Sequence, residues 1–188
     1  MTNSHLLLRL ATAASEDQLR DVLLAVTALP LTEQVALVVQ VLSSPGFAGS
    51  GLENQLIERT IPVVHELLTD SRLDERSTLA IVSSAEELFG SWFQNPASDA
   101  DQSYMFWDRV LFSRWRRDSP VARCAPQIAE ALERILLSGS EACARSAIHG
   151  LNHLPKEHRS AVLRRYIDAG PPPPLAALAK DALIGKLQ

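Results

Sequence analysis

The chain has 188 residues, of which 46% are hydrophobic and 21% are charged, and its net charge is -4. These values are typical of a globular protein with a sizeable core, so they exclude an intrinsically disordered chain. No run of about 20 apolar residues is present, which excludes a predicted transmembrane helix and favours a cytoplasmic protein without a membrane partner. Two cysteines, Cys124 and Cys143, are too few for a disulfide framework, and we expect them to be buried thiols.

The first third of the chain is predicted to be helical, because helix-forming Ala and Leu recur and no run alternates with period two. A short amphipathic helix capped by Asn3 or Ser4 comes first. The next helix is opened by Ser15 and ended by Pro30. A third helix then reaches a loop over 43–51 in which serine, proline and glycine are frequent.

The middle of the chain, about 70–120, is irregular and rich in aromatic residues. Before it, a long helix over 52–69 contains Pro62, which should kink or divide that helix. Within the middle segment, the apolar patterns predict one helix over about 74–93 and another over 104–116.

The last third is predicted to contain a helix over 125–137 and a helical hairpin over 140–169. Gly170 is the expected C-terminal cap of that hairpin, and the four prolines after it are expected to be extended. A final helix over 175–187 would cover the open end of the stack as a cap.

The two ends of the chain repeat the same pattern in register, 125 positions apart. Ser15 to Ser43 and Ser140 to Ala169 each begin with a Ser-Glu pair and each turn at a Leu-Pro pair. The matching positions are Ser15/Ser140, Glu16/Glu141, Arg20/Arg145, Leu29/Leu154, Pro30/Pro155 and Ala36/Ala161. They fall at a helix start, a helix end and an inter-helix turn, so they predict antiparallel helical hairpins stacked side by side.

The spacing of Ser140 to Leu187 resembles a HEAT-type or armadillo-type repeat: a helix, a proline-marked turn, a second helix and the start of the next unit. The resemblance covers both hairpins and the terminal helix, about half of the chain. It implies an all-α fold, a short and irregular HEAT-like solenoid or α-α superhelix in a single domain over 1–188. It also implies a scaffold that binds protein, and it implies no reaction chemistry.

Eight of the ten aromatic residues lie within 27 positions of the middle segment. A helix over 104–116 that is apolar on several sides is either central in its domain or reserves one face for another chain. The second alternative predicts an interface, with a protein partner or in self-association, in which a tryptophan is surrounded by a basic rim. The predicted binding residues are Trp107, Trp115, Arg109, Arg114, Arg116 and Arg117.

The same arginines support an alternative function. The basic stretch from Arg109 to Arg123 resembles the basic surface with which helical-repeat proteins of the alkylpurine glycosylase type bind DNA. This alternative describes a DNA-binding or base-excision protein. Because the stretch is short and the rest of the chain is acidic, we expect no nucleic acid partner.

A second alternative is a metal-dependent enzyme centred on His149 and His153. The two histidines lie four residues apart, so both imidazoles can face the same side of a helix. Cys143 falls on another face, and His158 or a carboxylate from a neighbouring helix would be needed to complete a ligand set. Without a local third ligand, we expect no bound metal and no cofactor.

No sequence pattern of a nucleophilic enzyme is found. The chain contains no Gly-x-Ser-x-Gly sequence, and neither cysteine lies in a recognisable catalytic context. The sequence therefore favours a non-enzymatic protein-protein interaction module, a scaffold, adaptor or immunity-type protein. Fifteen of the 18 basic residues are arginine, as in GC-rich genomes, and we expect a bacterial source.

Overall fold

Helices form all of the regular structure in the computed structural model, which describes residues 3–44, 51–94, 100–111, 119–138 and 140–187. No strand occurs in these ranges, which confirms the prediction of an all-α fold. The helices are α1 (Asn3–Thr12), α2 (Glu16–Thr27), α3 (Leu31–Ser43), α4 (Glu53–Thr69), α5 (Glu75–Ser91), α6 (Ala100–Leu111), α7 (Pro120–Arg123), α8 (Ala125–Leu136), α9 (Glu141–His153), α10 (Lys156–Asp168) and α11 (Pro173–Leu183). Within the described ranges, each helix is too short or too polar to span a lipid bilayer.

Serine side chains cap α2 and α9, the first helices of the two repeated segments. The hydroxyl of Ser15 accepts a hydrogen bond of 3.2 Å from the backbone N–H of Gln18. The hydroxyl of Ser140 accepts one of 3.4 Å from the backbone N–H of Cys143. Each hydroxyl satisfies an N–H group that has no partner inside its own helix, so both predicted helix starts are confirmed.

The Leu-Pro turns have the same backbone conformation in both repeated segments. Pro30 has φ −52° and ψ 144°, and Pro155 has φ −52° and ψ 143°. Proline suits a helix start because its ring already fixes φ near the required value. Proline also lacks a backbone N–H, and at a helix start this group would have no partner within the helix. The predicted inter-helix turns are therefore confirmed at both positions.

A long polar side chain closes each of these turns. Gln34 donates from Nε2 to the carbonyl oxygens of Thr27 and Leu29, at 3.1 and 2.8 Å. In the second segment Arg159 donates from Nη1 to the two carbonyl oxygens that lie 125 positions further along, both at 2.8 Å. The two turns thus share one hydrogen-bonding pattern although Gln34 and Arg159 differ chemically.

Helices α1 to α4 and helices α8 to α11 share part of their packing pattern, although α1 also packs against α4 and α9 also packs against α10, without an equally extensive contact in the other set. In each set the first helix contacts the second and the third, and the fourth helix packs against the second and the third. Helix α11 accordingly covers α9 and α10, in the place predicted for the terminal helix. The likeness of the two segments therefore extends in part from the turns to the helices around them.

The two helices of each repeated pair make most of their contacts with other helices. Helix α3 packs chiefly against α5, and α10 packs chiefly against α11. The predicted helices and turns of both hairpins are thus confirmed. The two helices of a hairpin, however, are not each other's main packing partners. The reason is that α3 has a row of buried Val and Leu side chains, and the aromatic middle segment offers that row a larger apolar surface than α2 does.

Helices α5 and α6 lie between the two four-helix sets. Helix α5 packs against α3 and α8, and α6 packs against α4 and α9. Because different helices cover different sides of α6, its apolar residues occupy more than one face. The ring of Phe89 stacks on Trp107 at a centroid distance of 5.9 Å, and Phe106 meets Trp107 edge-on at 5.2 Å.

Three elements differ in detail from the predictions. Helix α4 continues through Pro62, so this proline does not divide it. The short helix α7, capped by Ser119, was not predicted. Helix α11 starts at Pro173, so part of the proline tract is helical and not extended, since the first turn of a helix tolerates a missing N–H. Gly170 has φ 72°, as expected of a glycine that follows a helix end.

Both cysteines are free and buried, as predicted. Desolvation is the main cause that raises the pKa of the Cys124 thiol and of the Cys143 thiol. The Cys143 Sγ lies 3.8 Å from the backbone carbonyl oxygen of Phe89, to which it donates. Neither thiol is therefore poised as a nucleophile.

Helix α9 approaches α6 and α8 most closely at Gly150. A Cβ atom at this position would lie 3.0 Å from Trp107 Cβ and 3.0 Å from Leu132 Cδ2. Both of these side chains are buried in the core. A side chain at this position would therefore require the buried Trp107 and Leu132 side chains to move by a few tenths of an ångström.

The turn hydrogen bonds lead to a stability prediction. Arg159→Ala should lower the free energy of unfolding by about 1.5–3 kcal/mol, because bonds from a charged donor contribute in that range. Gln34→Ala removes neutral bonds and should cost about 0.5–1.5 kcal/mol. The control is Arg164→Ala on the exposed side of α10, which should change the value by less than about 0.5 kcal/mol. Urea unfolding followed by circular dichroism measures all three, and equal values for Arg159→Ala and Arg164→Ala would contradict the prediction.

Gly150→Ala should also destabilise the fold. Overpacking of a core costs about 1–3 kcal/mol, whereas the gain in helix propensity from glycine to alanine is only about 0.8–1.0 kcal/mol. Gly90→Ala on α5 is the matched control, because a Cβ atom there would meet no atom within 4 Å. Thermal unfolding should show a lower melting temperature for Gly150→Ala and an unchanged or higher one for Gly90→Ala. Shifts in the same direction would argue against a tight contact at Gly150.

Candidate functional site

Two histidines of α9 face one aspartate of α6. The Nε2 atom of His153 lies 2.8 Å from Asp108 Oδ1, and the Nε2 atom of His149 lies 3.3 Å from the same oxygen. The two imidazole rings stack, with centroids 5.2 Å apart and an interplanar angle of 24°. The pair predicted to share one helix face therefore does so, and a carboxylate from another helix joins it.

This cluster is the group of His, Cys, Asp and Glu side chains in the described ranges whose ligand atoms converge, all within 4.8 Å of one another. The third ligand is not visible in the sequence because Asp108 is 45 residues away from His153 and on a different helix. Spacing within one helix gives no information on such a neighbour. The premise for expecting no metal is therefore corrected: a carboxylate from a neighbouring helix completes the set, and His158 lies on α10 outside it.

The imidazole of His149 is buried and poorly satisfied. Only 3% of the residue is exposed, and neither ring nitrogen makes a hydrogen bond with a described residue, the contact with Asp108 being misaligned. Desolvation lowers the pKa of His149, and the nearby His153 lowers it further, while Asp108 opposes both. Burial therefore favours the neutral form of the His149 imidazole over the charged form.

The cluster lies at the border between core and solvent. The side chains of Asp108 and His153 are 24% and 14% exposed, so water reaches the cluster from one side. On another side the ring of Tyr104 contacts His149 edge-on at a centroid distance of 5.1 Å. The guanidinium of Arg145 lies over that tyrosine ring, 5.9 Å from its centroid.

The predicted tryptophan interface has no exposed face at Trp107. This residue is 1% exposed and its ring packs in the aromatic core between α5, α6 and α9. The prediction therefore depends on Trp115, which lies outside the described residues together with Arg114, Arg116 and Arg117.

Two arginines of the basic stretch interact within the chain. Arg109 Nη1 forms an ion pair with Glu58 Oε1 at 2.5 Å. Arg123 donates from Nη2 to the backbone carbonyl of Leu73 at 2.7 Å. The ion pair with Glu58 reduces the positive charge that Arg109 offers to DNA phosphates, whereas the bond to Leu73 leaves the charge of Arg123 in place.

An apolar groove of about 310 Å³ opens where the ends of α8 and α10 meet the starts of α9 and α11. At its edge Leu137 is 65% exposed, one of the most exposed large apolar side chains among the described residues. The apolar lining includes Leu136, Leu137, Ala144, Tyr166, Pro171 and Leu175. The groove was not predicted, because its lining comes from two inter-helix connections, 136–144 and 166–175, that meet only through the packing of the helices.

A second groove, of about 390 Å³, lies between α5 and α8. An ion pair crosses it, with Arg134 Nε at 2.6 Å from Glu86 Oε1. Because Arg134 and Glu86 are paired with each other, the second groove offers a ligand fewer unpaired groups than the apolar groove does.

Comparison with known proteins gives no match for this chain. No family model matches the sequence, and no curated protein and no solved structure is significantly similar to it.

Proposed function

We propose that this protein is a non-enzymatic protein-protein interaction module, of HEAT-like helical-repeat type, that works in the bacterial cytoplasm. The observation that carries the proposal is the apolar groove with the exposed Leu137 at its edge. The repeat character is supported by the two equivalent Pro turns and by the part of the packing pattern that α1 to α4 and α8 to α11 have in common.

The groove suits a short apolar segment of another protein. Its volume of about 310 Å³ is at the lower end of the roughly 300–1,000 Å³ of ligand pockets, which is room for a few side chains and not for a whole helix bundle. Covering Leu137 would remove apolar surface from water, and full burial of a leucine side chain contributes roughly 1.5–3 kcal/mol. A small number of such contacts dominates the binding energy of an interface.

The charge at the groove favours a basic segment. Glu141 is the charged residue of the lining, and it lies in the first turn of α9. Its ion pair with Arg145 is long, 3.8 Å, and both side chains are mostly exposed, so it neutralises Glu141 only weakly. With a net charge of -4 on the chain, we infer that the occupant carries Lys or Arg beside its apolar residues.

The proposal predicts which peptides the intact chain selects. Random peptides displayed on phage and selected on the immobilised protein should converge on apolar sequences that contain Lys or Arg. A synthetic copy of one of them should then bind in a fluorescence anisotropy titration. Leu137→Ser should weaken its binding at least about tenfold, since central apolar contacts contribute about 2 kcal/mol or more. Glu141→Gln should reduce the preference for basic over acidic versions of the same peptide.

The matched control is Leu24→Ser on α2, because Leu24 is exposed to nearly the same degree, 61%, and lies outside the groove. It should leave binding unchanged. Equal weakening by Leu24→Ser and Leu137→Ser would contradict a specific groove. Self-association that is detected by analytical ultracentrifugation and lost in Leu137→Ser would show that a second copy occupies the groove, and would overturn the basic foreign segment.

A further inference from the structure

The cluster of Asp108, His149 and His153 has no part in the proposed groove. Its donors are two imidazole nitrogens and one carboxylate oxygen. Ca²⁺ and Mg²⁺ prefer sets of oxygen ligands, and ions that select sulfur would require a cysteine. Three ligands of the His-His-carboxylate kind, with a fourth position left open, are the set that binds Zn²⁺ in many zinc sites.

The distances between the donors suit a small metal ion. With bonds of about 2.0–2.1 Å and tetrahedral angles, the ligand atoms around Zn²⁺ lie roughly 3.3–3.4 Å apart. Here Asp108 Oδ1 lies 3.3 Å from His149 Nε2 and 2.8 Å from His153 Nε2. All three ligand atoms lie within 4.8 Å of one another, and the proposal requires the partly exposed Asp108 and His153 side chains to rotate so that the ion fits between them.

The state of His149 gives a second, independent indication. Buried polar atoms without a hydrogen-bond partner are rare in native proteins, and a bound ion is one way in which such atoms are satisfied. Both ring nitrogens of His149 are buried without such a partner in the described structure.

We propose that Asp108, His149 and His153 bind one divalent transition-metal ion, Zn²⁺, that joins α6 to α9. Asp108 Oδ1, His149 Nε2 and His153 Nε2 are the ligand atoms. The fourth position is directed to the solvent side, where Asp108 and His153 are partly exposed, and it takes a water molecule or an anionic group of a partner. In the absence of metal, the contact of Asp108 with the histidines holds the same helices together more weakly.

The test uses the full-length chain, without an affinity tag and treated with a chelator. Isothermal titration with Zn²⁺ should give one ion per chain, and Zn²⁺ should raise the melting temperature. Co²⁺ in the same site should give the visible absorption bands of a four-coordinate ion. Asp108→Asn and His153→Gln should each weaken Zn²⁺ binding by more than the roughly 10–100-fold that loss of an outer-shell partner costs.

The matched control is His5→Gln, since His5 is an exposed histidine on α1. It should bind Zn²⁺ as the unmodified chain does, and so should Leu137→Ser, which separates the metal site from the groove. Circular dichroism of each variant without metal shows whether it is folded. The absence of stoichiometric Zn²⁺ binding by the unmodified chain would overturn the proposal. Binding by folded Asp108→Asn and His153→Gln that equals binding by His5→Gln would overturn it too.

Discussion

The close contact of α9 with α6 at Gly150 is the constraint on which the centre of the structure depends. Because no side chain intervenes, the indole of Trp107 lies directly against α9 and is buried. Burial of an aromatic side chain removes about 150–250 Å² from water, roughly 4–6 kcal/mol at about 25 cal/mol per Å². A hydrogen bond contributes about 1 kcal/mol net. Burial of Trp107 against α5 and α9 therefore contributes more to the position of α6 than one hydrogen bond does, and this position brings Asp108 to the histidines.

Local features of the fold were predictable because their causes are local. Ser15 and Ser140 cap helices through an N–H group three residues away, and Pro30 and Pro155 fix their own backbone angles. The packing partners were not predictable, since an apolar stripe shows which face of a helix is buried but not which helix covers it. The all-α fold and the turns were confirmed, while the helices that cover α3 and α10 became known only from the structure.

In the candidate sites, too, the features with local causes were predictable and the contacts between helices were not. The shared face of His149 and His153 follows from their spacing, but Asp108 joins them only through the contact of two helices. The groove at Leu137 consists of four helix ends and has no sequence signature. The composition of α6, which contains Trp107, indicates more apolar surface than one neighbouring helix can cover. It could not say that both α4 and α9 would cover that surface.

The position of α5 and α6 between the two four-helix sets has a consequence for how the chain unfolds. In a linear array each repeat contacts only its neighbours, so the array can open from one end repeat by repeat. Here α5 contacts α3 and α8, and α6 contacts α4 and α9. Unfolding of one four-helix set would therefore expose aromatic side chains of α5 and α6, and the other set packs against these same two helices. The duplicated ends are thereby coupled, and the fold is expected to melt as one cooperative unit despite its internal repetition.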